Sequence, residues 1–94
     1  MLYLVAGILK PHTDEEQLRL RNEWNEHLAQ PNRKISLFGA LRDKEGQRAG
    51  YLAIIEARDF DDAQSYLNQS PFYQDRLYDR VQVAEFSLEV GRID

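Results

Sequence analysis

Apolar residues run without a break from Leu2 to Leu9. A short continuous run of this kind fits a strand covered on both faces, and so one in the middle of a sheet. From Thr13 the period becomes helical. Leu18, Arg21, Trp24 or Asn25, and Leu28 recur at helical spacing, and Leu20 and His27 widen the stripe. Thr13 or Asp14 serves as cap, with Glu15 and Glu16 in the first turn, where the helix dipole favours negative charge. Pro31-Asn32 ends this helix. Ile35, Leu37, Gly39 and Leu41 then alternate with Ser36, Phe38 and Ala40, which predicts a strand. Asp43-Lys44-Glu45-Gly46 is a turn, and Ala49 to Ala57 forms the second arm of a hairpin, rich in Tyr51, Leu52, Ile54 and Ile55. Asp59 caps a second helix with Asp62 at its third position, and Phe60, Ala63, Tyr66 and Leu67 form its inner face. Ser70-Pro71 starts a short helix, because Ser caps and Pro suits the first helical position. Val81 to Val90 closes the chain as a strand whose inward positions change phase, which implies a bulge or a face shared with another chain.

The predicted order is β-α-β-β-α-β, an α+β ferredoxin-like arrangement in a single domain spanning residues 1–94. Its four-stranded antiparallel sheet carries both helices on one face. The opposite face is left bare and, from this pattern, largely apolar. A soluble monomer does not tolerate such a face, so the expected partner is a second copy, giving a homodimer with the two sheet faces packed together.

Composition narrows the function classes. The chain has 94 residues, enough for one domain and too few for two, with a net charge of −4. The acidic balance argues against nucleic-acid binding, which depends on Lys and Arg neutralising phosphates. No apolar run reaches the ~20 residues needed to span a bilayer, and the N-terminus lacks the basic region and cleavage pattern of a signal peptide. No membrane association and a cytoplasmic location are therefore expected. The absence of cysteine removes disulfides, thiolate metal sites and a Cys nucleophile together. The two histidines, His12 and His27, lack the spacing of a zinc motif. Asp59, Asp61 and Asp62 lack the Gly-punctuated loop of a calcium site, and no Gly-rich phosphate loop is present. Neither metal nor cofactor is expected.

Several short segments together resemble one family. They are Met1-Leu-Tyr-Leu-Val5, Leu18-Arg-Leu-Arg-Asn-Glu-Trp24, Leu37-Phe-Gly39, Ala63 followed by Ser70-Pro71-Phe72, and the tail from Leu77 to Phe86. They resemble the YciI-like (YCII-related) proteins over nearly the whole chain. The resemblance implies a dimeric α/β barrel, in a superfamily that includes muconolactone isomerase. Most members have no established activity. One branch is linked to elimination of HCl from a chlorinated aromatic, with a His and an Asp as proposed acid/base groups. This chain departs from that pair. The family's Arg-x-x-His reads Arg21-Asn-Glu-Trp24 here when the helix leucines are kept on apolar positions. A gapless count back from Gly39 puts Asn22 in the His position instead. The family's Asp-Pro is Ser70-Pro71, and an Asp at the end of the first strand is Ile8.

Individual residues therefore carry the functional expectation. His27, one turn beyond Trp24, is either a general acid/base supplied from a neighbouring position or a half-exposed boundary residue beside Leu28. Arg21 either grips a ligand carboxylate with two parallel hydrogen bonds or pairs with Glu16, Glu23 or Glu26. Trp24 either stacks on a flat ligand or fills the space an imidazole would occupy. Ser36 and Ser70 can donate to a ligand, although Ser70 also reads simply as the helix cap. Tyr3 and Tyr51 can turn their hydroxyls into a cleft between the first helix and the sheet. Gly39 and Gly50 permit close approach of backbone or ligand. Two functions follow. The favoured one is binding of a small aromatic or carboxylate molecule without the family His/Asp pair. The alternative is an isomerase or lyase with His27 as general acid/base and Arg21 as anion clamp.

Overall fold

Strand β1 (Leu2–Leu9) lies between β3 (Arg48–Glu56) and β4 (Tyr78–Glu85) in the computed structural model, which describes residues 1–93. With β2 (Ile35–Arg42) outside β3, the order is β2-β3-β1-β4 and every pairing is antiparallel. The helices are α1 (Asp14–Arg19), α2 (Arg21–Leu28), α3 (Phe60–Asn68) and α4 (Pro71–Gln74). They cover one face of the sheet, giving the α+β ferredoxin-like fold that the hydrophobic pattern predicts.

Alternation along β1 decides where the core sits. Tyr3, Val5 and Leu9 are buried beneath the helices, and Tyr3, Val5 and Gly7 lie opposite Ile55, Ala53 and Tyr51 of β3. Leu2, Leu4, Ala6 and Ile8 point to the other face and are half-buried. Two apolar clusters fill the space under the helices. One joins Tyr3, Val5, Ala53, Ile55 and Val83 to Ala63, Tyr66 and Leu67 of α3. The other joins Leu9, Tyr51 and Leu77 to Trp24 of α2 and Phe72 of α4.

The first helix differs from its prediction. Leu20 leaves helical geometry at φ −93° and ψ 8°, so one expected helix becomes two. The break turns Leu20, Trp24, His27 and Leu28 inward, whereas Leu18 is 65% exposed. Thr13 precedes α1 without capping it through its side chain. Its hydroxyl donates to the Lys10 carbonyl (3.0 Å) and accepts from Gln17 Nε2 (3.0 Å) instead.

The second helical segment forms as expected. The Asp59 carboxylate accepts from Asp62 N–H at 2.8 Å, and Asp62 reaches back to accept from Arg58 N–H at 3.0 Å. These reciprocal bonds satisfy donors that a helix start leaves unpaired. Phe60, read as inward, is 48% exposed, so the inner face of α3 is Ala63, Tyr66 and Leu67 alone. Ser70 caps α4 by accepting from Tyr73 N–H (3.4 Å), with Pro71 in its first turn and Phe72 buried.

The last strand starts at Tyr78 and ends at Glu85, not at Val81 and Val90. Its limit is its partner. Phe86 N–H still donates to the Leu2 carbonyl (2.9 Å), but β1 begins at Leu2, and no neighbouring strand remains for residues 87–90. The irregularity in its pairing falls at Ile8/Leu9, near the start of β4.

Close backbone packing requires two glycines in the sheet. A Cβ on Gly50 would lie 2.2 Å from the Gly7 carbonyl oxygen, and one on Gly7 would lie 2.5 Å from the Tyr78 ring. Gly39 meets nothing within 4 Å. Gly50→Ala is therefore expected to cost about 3 kcal/mol or more, because a backbone oxygen in a central strand pair has nowhere to move. Gly39→Ala should stay within about 1 kcal/mol of the parent. Urea unfolding midpoints of the two variants measure the difference.

Candidate functional site

Trp24 occupies the centre of the site. Its indole stacks on Phe72 at 4.3 Å between centroids, lies 4.9 Å from Tyr51, and lies 5.8 Å from Phe38. This aromatic group bridges α2 and α4 to β2 and β3. It also separates two spaces, since Trp24, Phe38 and Tyr51 border both.

The outer space is a groove of about 570 Å³ between the first helical segments and the β2–β3 edge. Its aromatic wall is Trp24, Phe38, Tyr51 and Phe72, with Gly39 and Ala40 on the strand side. Arg21 stands on the helix wall, one turn before Trp24. Among the described residues it makes no ion pair, so the intramolecular pairing with Glu16, Glu23 or Glu26 is not formed. Arg48 lines the opposite, strand wall. Its guanidinium lies over the Tyr51 ring (5.8 Å to centroid), with Nη1 donating to the Tyr51 hydroxyl at 3.4 Å.

The inner space is a cavity of about 20 Å³, room for one water, enclosed by β1, Trp24, His27, Phe38, Tyr51, Tyr66, Ser70 and Tyr78. His27 is 6% exposed and stacks on Tyr66 at 4.3 Å. Burial, helped by the nearby positive charge of Arg33, lowers its pKa to about 4. The Gln30 amide Nε2 lies 3.1 Å from Nδ1. With that amide donating, the neutral ring carries its proton on Nε2. The Tyr66 hydroxyl is buried without a hydrogen-bond partner among the described residues, and burial raises its pKa to about 12. Tyr78 is also pushed above the usual phenol range by burial, with the Ser70 hydroxyl acting the other way.

The predicted residues therefore divide. Arg21 and Trp24 meet in the groove, and Tyr51 joins them, while Tyr3 is core. His27 and Ser70 border the inner cavity, where Ser70 also caps α4. Ser36 sits where the β2–β3 register slips between Ile35 and Leu37, and lines neither space. That slip puts both Ile35 and Phe38 on the helix side, opposite Ile55 and Ala53, so simple alternation did not mark Phe38 as a wall residue. Arg48 was missed because strict alternation puts residues three apart on opposite faces, whereas the β2–β3 register shifts at Leu41/Arg42, opposite Gly50 and Arg48.

No helix among the described residues is long and apolar enough to cross a membrane. No group of three or more His, Asp or Glu among them is placed to hold a metal ion. A second polar cluster lies outside the site. The Arg33 guanidinium forks onto both carboxylate oxygens of Asp62 at 3.1 and 3.2 Å, tying the entry to β2 to α3. Hydrogen bonds from Arg33 and from the Arg58 backbone hold the Asp62 carboxyl far below the usual carboxylate range.

Residues 1–87 match the model of the YCII-related domain. The chain belongs to the YCII-related family. No curated protein sequence matches this YCII-related chain. Among solved structures, it is similar to the 5-chloro-2-hydroxyhydroquinone dehydrochlorinase of Burkholderia phenoliruptrix, determined in complex with 2,5-dihydroxybenzoquinone. The two share a TM-score of 0.81 and 20% identity, over 93% of this chain and 94% of that one. At that identity the likeness is one of fold. In this YCII-related protein the position read as the family imidazole holds Trp24, and that indole is built into the wall of the groove.

The buried imidazole gives stability a pH dependence. His27 has a folded pKa below its usual 6.5, so the unfolded chain binds more protons between about pH 4 and 6.5. Its contribution is complete above pH 6.5 and is lost as pH falls towards 4. A loss of about 2–3 kcal/mol across that window is expected. His27→Gln should flatten the dependence, as read from urea unfolding at pH 7.0 and 4.5.

Proposed function

We propose that this YCII-related protein binds a small, flat, anionic molecule in the groove beside Trp24. The observation that carries the reading is Arg21, without an ion partner among the described residues, at the lip of a groove walled by four aromatic rings. The rings offer stacking area and the guanidinium fork matches a carboxylate. The isomerase or lyase reading requires His27 and Arg21 in one space. They line different ones, with Trp24 bordering both, and burial lowers the imidazole pKa, which makes it a poor base. Binding without the His/Asp chemistry is the better-supported function.

The same proposal includes a homodimer. Leu2, Leu4, Ala6 and Ile8 of β1, Leu37 and Leu41 of β2, Leu52 and Ile54 of β3, and Ala84 of β4 share the sheet face away from the helices. Leu37 is 41% exposed there, and the face is apolar across β2, β3 and β1 with Arg80 and Gln82 of β4 at its margin, an area that calls for a cover. A second copy offers an equivalent face through two-fold symmetry. We also place the protein in the cytoplasm, a reading supported by a cysteine-free chain that needs no oxidising compartment.

Trp24 is the sole tryptophan, so intrinsic fluorescence reports on the groove directly. Benzoate-type acids should quench it saturably, and Arg21→Gln should weaken binding by about ten-fold. If no compound in a panel of aromatic acids changes the emission or the melting temperature, the groove is structural only. For assembly, light scattering should give a mass of two chains, and Leu37→Asp should give one chain with an unchanged circular dichroism spectrum. A wild-type mass of one chain at micromolar concentration removes the dimer.

A further inference from the structure

We propose that Arg48 is a second anion-gripping residue, and that the groove is built for a planar diacid, a ring with a carboxylate at each of two edges. The inference rests on the groove being a ligand site and names the class of ligand it takes.

Three charged side chains line the groove: Asp14, Arg21 and Arg48. They are unevenly placed. Asp14 and Arg21 both belong to the helix wall, in the first turns of α1 and α2, where the negative charge of one offsets part of the positive field of the other. The strand wall is contributed by Phe38, Gly39, Ala40, Arg48 and Tyr51 and carries no carboxylate. Arg48 is thus the cation whose charge nothing on its own wall compensates. It makes no ion pair among the described residues.

Its position is also constrained. The Arg48 guanidinium rests over the Tyr51 ring and shares a hydrogen bond with the Tyr51 hydroxyl, a combination that limits its rotamers before any ligand arrives. Tyr51 in turn is 4.9 Å from Trp24, centroid to centroid, with the Phe38 ring stacked on it at 5.6 Å. A ring entering against Trp24 and Tyr51 therefore has a guanidinium on the helix side, from Arg21, and another on the strand side. A single carboxylate engages one of them. A second carboxylate across the ring engages the other, and the rigid ring makes that second contact without further loss of rotational freedom.

The test titrates benzoate, isophthalate, terephthalate and benzamide against the full chain, following Trp24 emission, with wild type, Arg48→Gln, Arg48→Lys and Arg21→Gln. In wild type the better of the two diacids should bind about ten-fold or more tightly than benzoate, and benzamide more weakly than either. Arg48→Gln should bring the diacid-to-benzoate ratio close to one. Arg48→Lys should restore part of it, since charge returns without the fork. Arg21→Gln should weaken the acids generally. Equal affinity for mono- and diacids in wild type overturns this inference and leaves the groove as a monoacid site. A ratio unaffected by Arg48→Gln, in a variant with the parental melt, overturns it as well. If neither acid nor amide binds to wild type, the groove itself is not a ligand site, and both readings fall.

Discussion

The position of the first helical segment on the sheet depends on one aromatic contact, Trp24 against Phe72. Helix α2 has a weakly apolar sequence and buries only Trp24 and His27. Without an anchor of that size it would have little hold on the layer beneath. The indole supplies one by stacking on Phe72 and reaching Tyr51 and Phe38, so that two helices and two strands meet at one side chain. Large rings suit this role because each buries a broad area at a small cost in side-chain freedom. The same contact defines the outer groove and the inner cavity as separate spaces.

That partition organises the electrostatics. On the inner side burial holds His27, Tyr66 and Tyr78 neutral. Desolvation lowers the His27 pKa and raises those of Tyr66 and Tyr78, all in the direction that discourages charge. The ionised groups nearest this core, Arg33 and Asp62, pay for their burial by pairing with each other through two hydrogen bonds. On the outer side the groove carries two guanidinium groups and one carboxylate above an aromatic floor. The protein thus presents charge to solvent at the groove and excludes it behind Trp24.

The YCII-related chain shares its fold with a dehydrochlorinase. In this chain Trp24 lies where helix meets sheet, and its ring packs α2 against the cluster of Leu9, Tyr51, Phe72 and Leu77. The scaffold and the chemistry placed on it are separable.

Much of the architecture was legible in the chain itself. The uninterrupted apolar run to Leu9, the Asp59 and Ser70 caps and the hairpin turn each rest on local stereochemistry, and each formed where its residues required. Arg21 and Trp24 were readable as a pair because helical spacing places them one turn apart. What the chain alone could not decide depended on partners distant in sequence. The last strand stops at Glu85, opposite Tyr3 near the start of β1, a limit set some 80 residues earlier. The break at Leu20 goes with packing of that leucine against the cluster around Trp24 and Phe72 while Leu18 stays exposed, and periodicity is silent on that choice. Arg48 and Phe38 entered the groove beside two register slips of the β2–β3 pair, at Leu41/Arg42 and at Ile35/Leu37. His27 lay on the stripe as read, but the shared wall of Trp24, and hence the environment that keeps the imidazole neutral and apart from Arg21, exists only once α2 has docked. Local sequence sets which elements form; packing between elements sets which side chains share a space, and that sharing decides the chemistry.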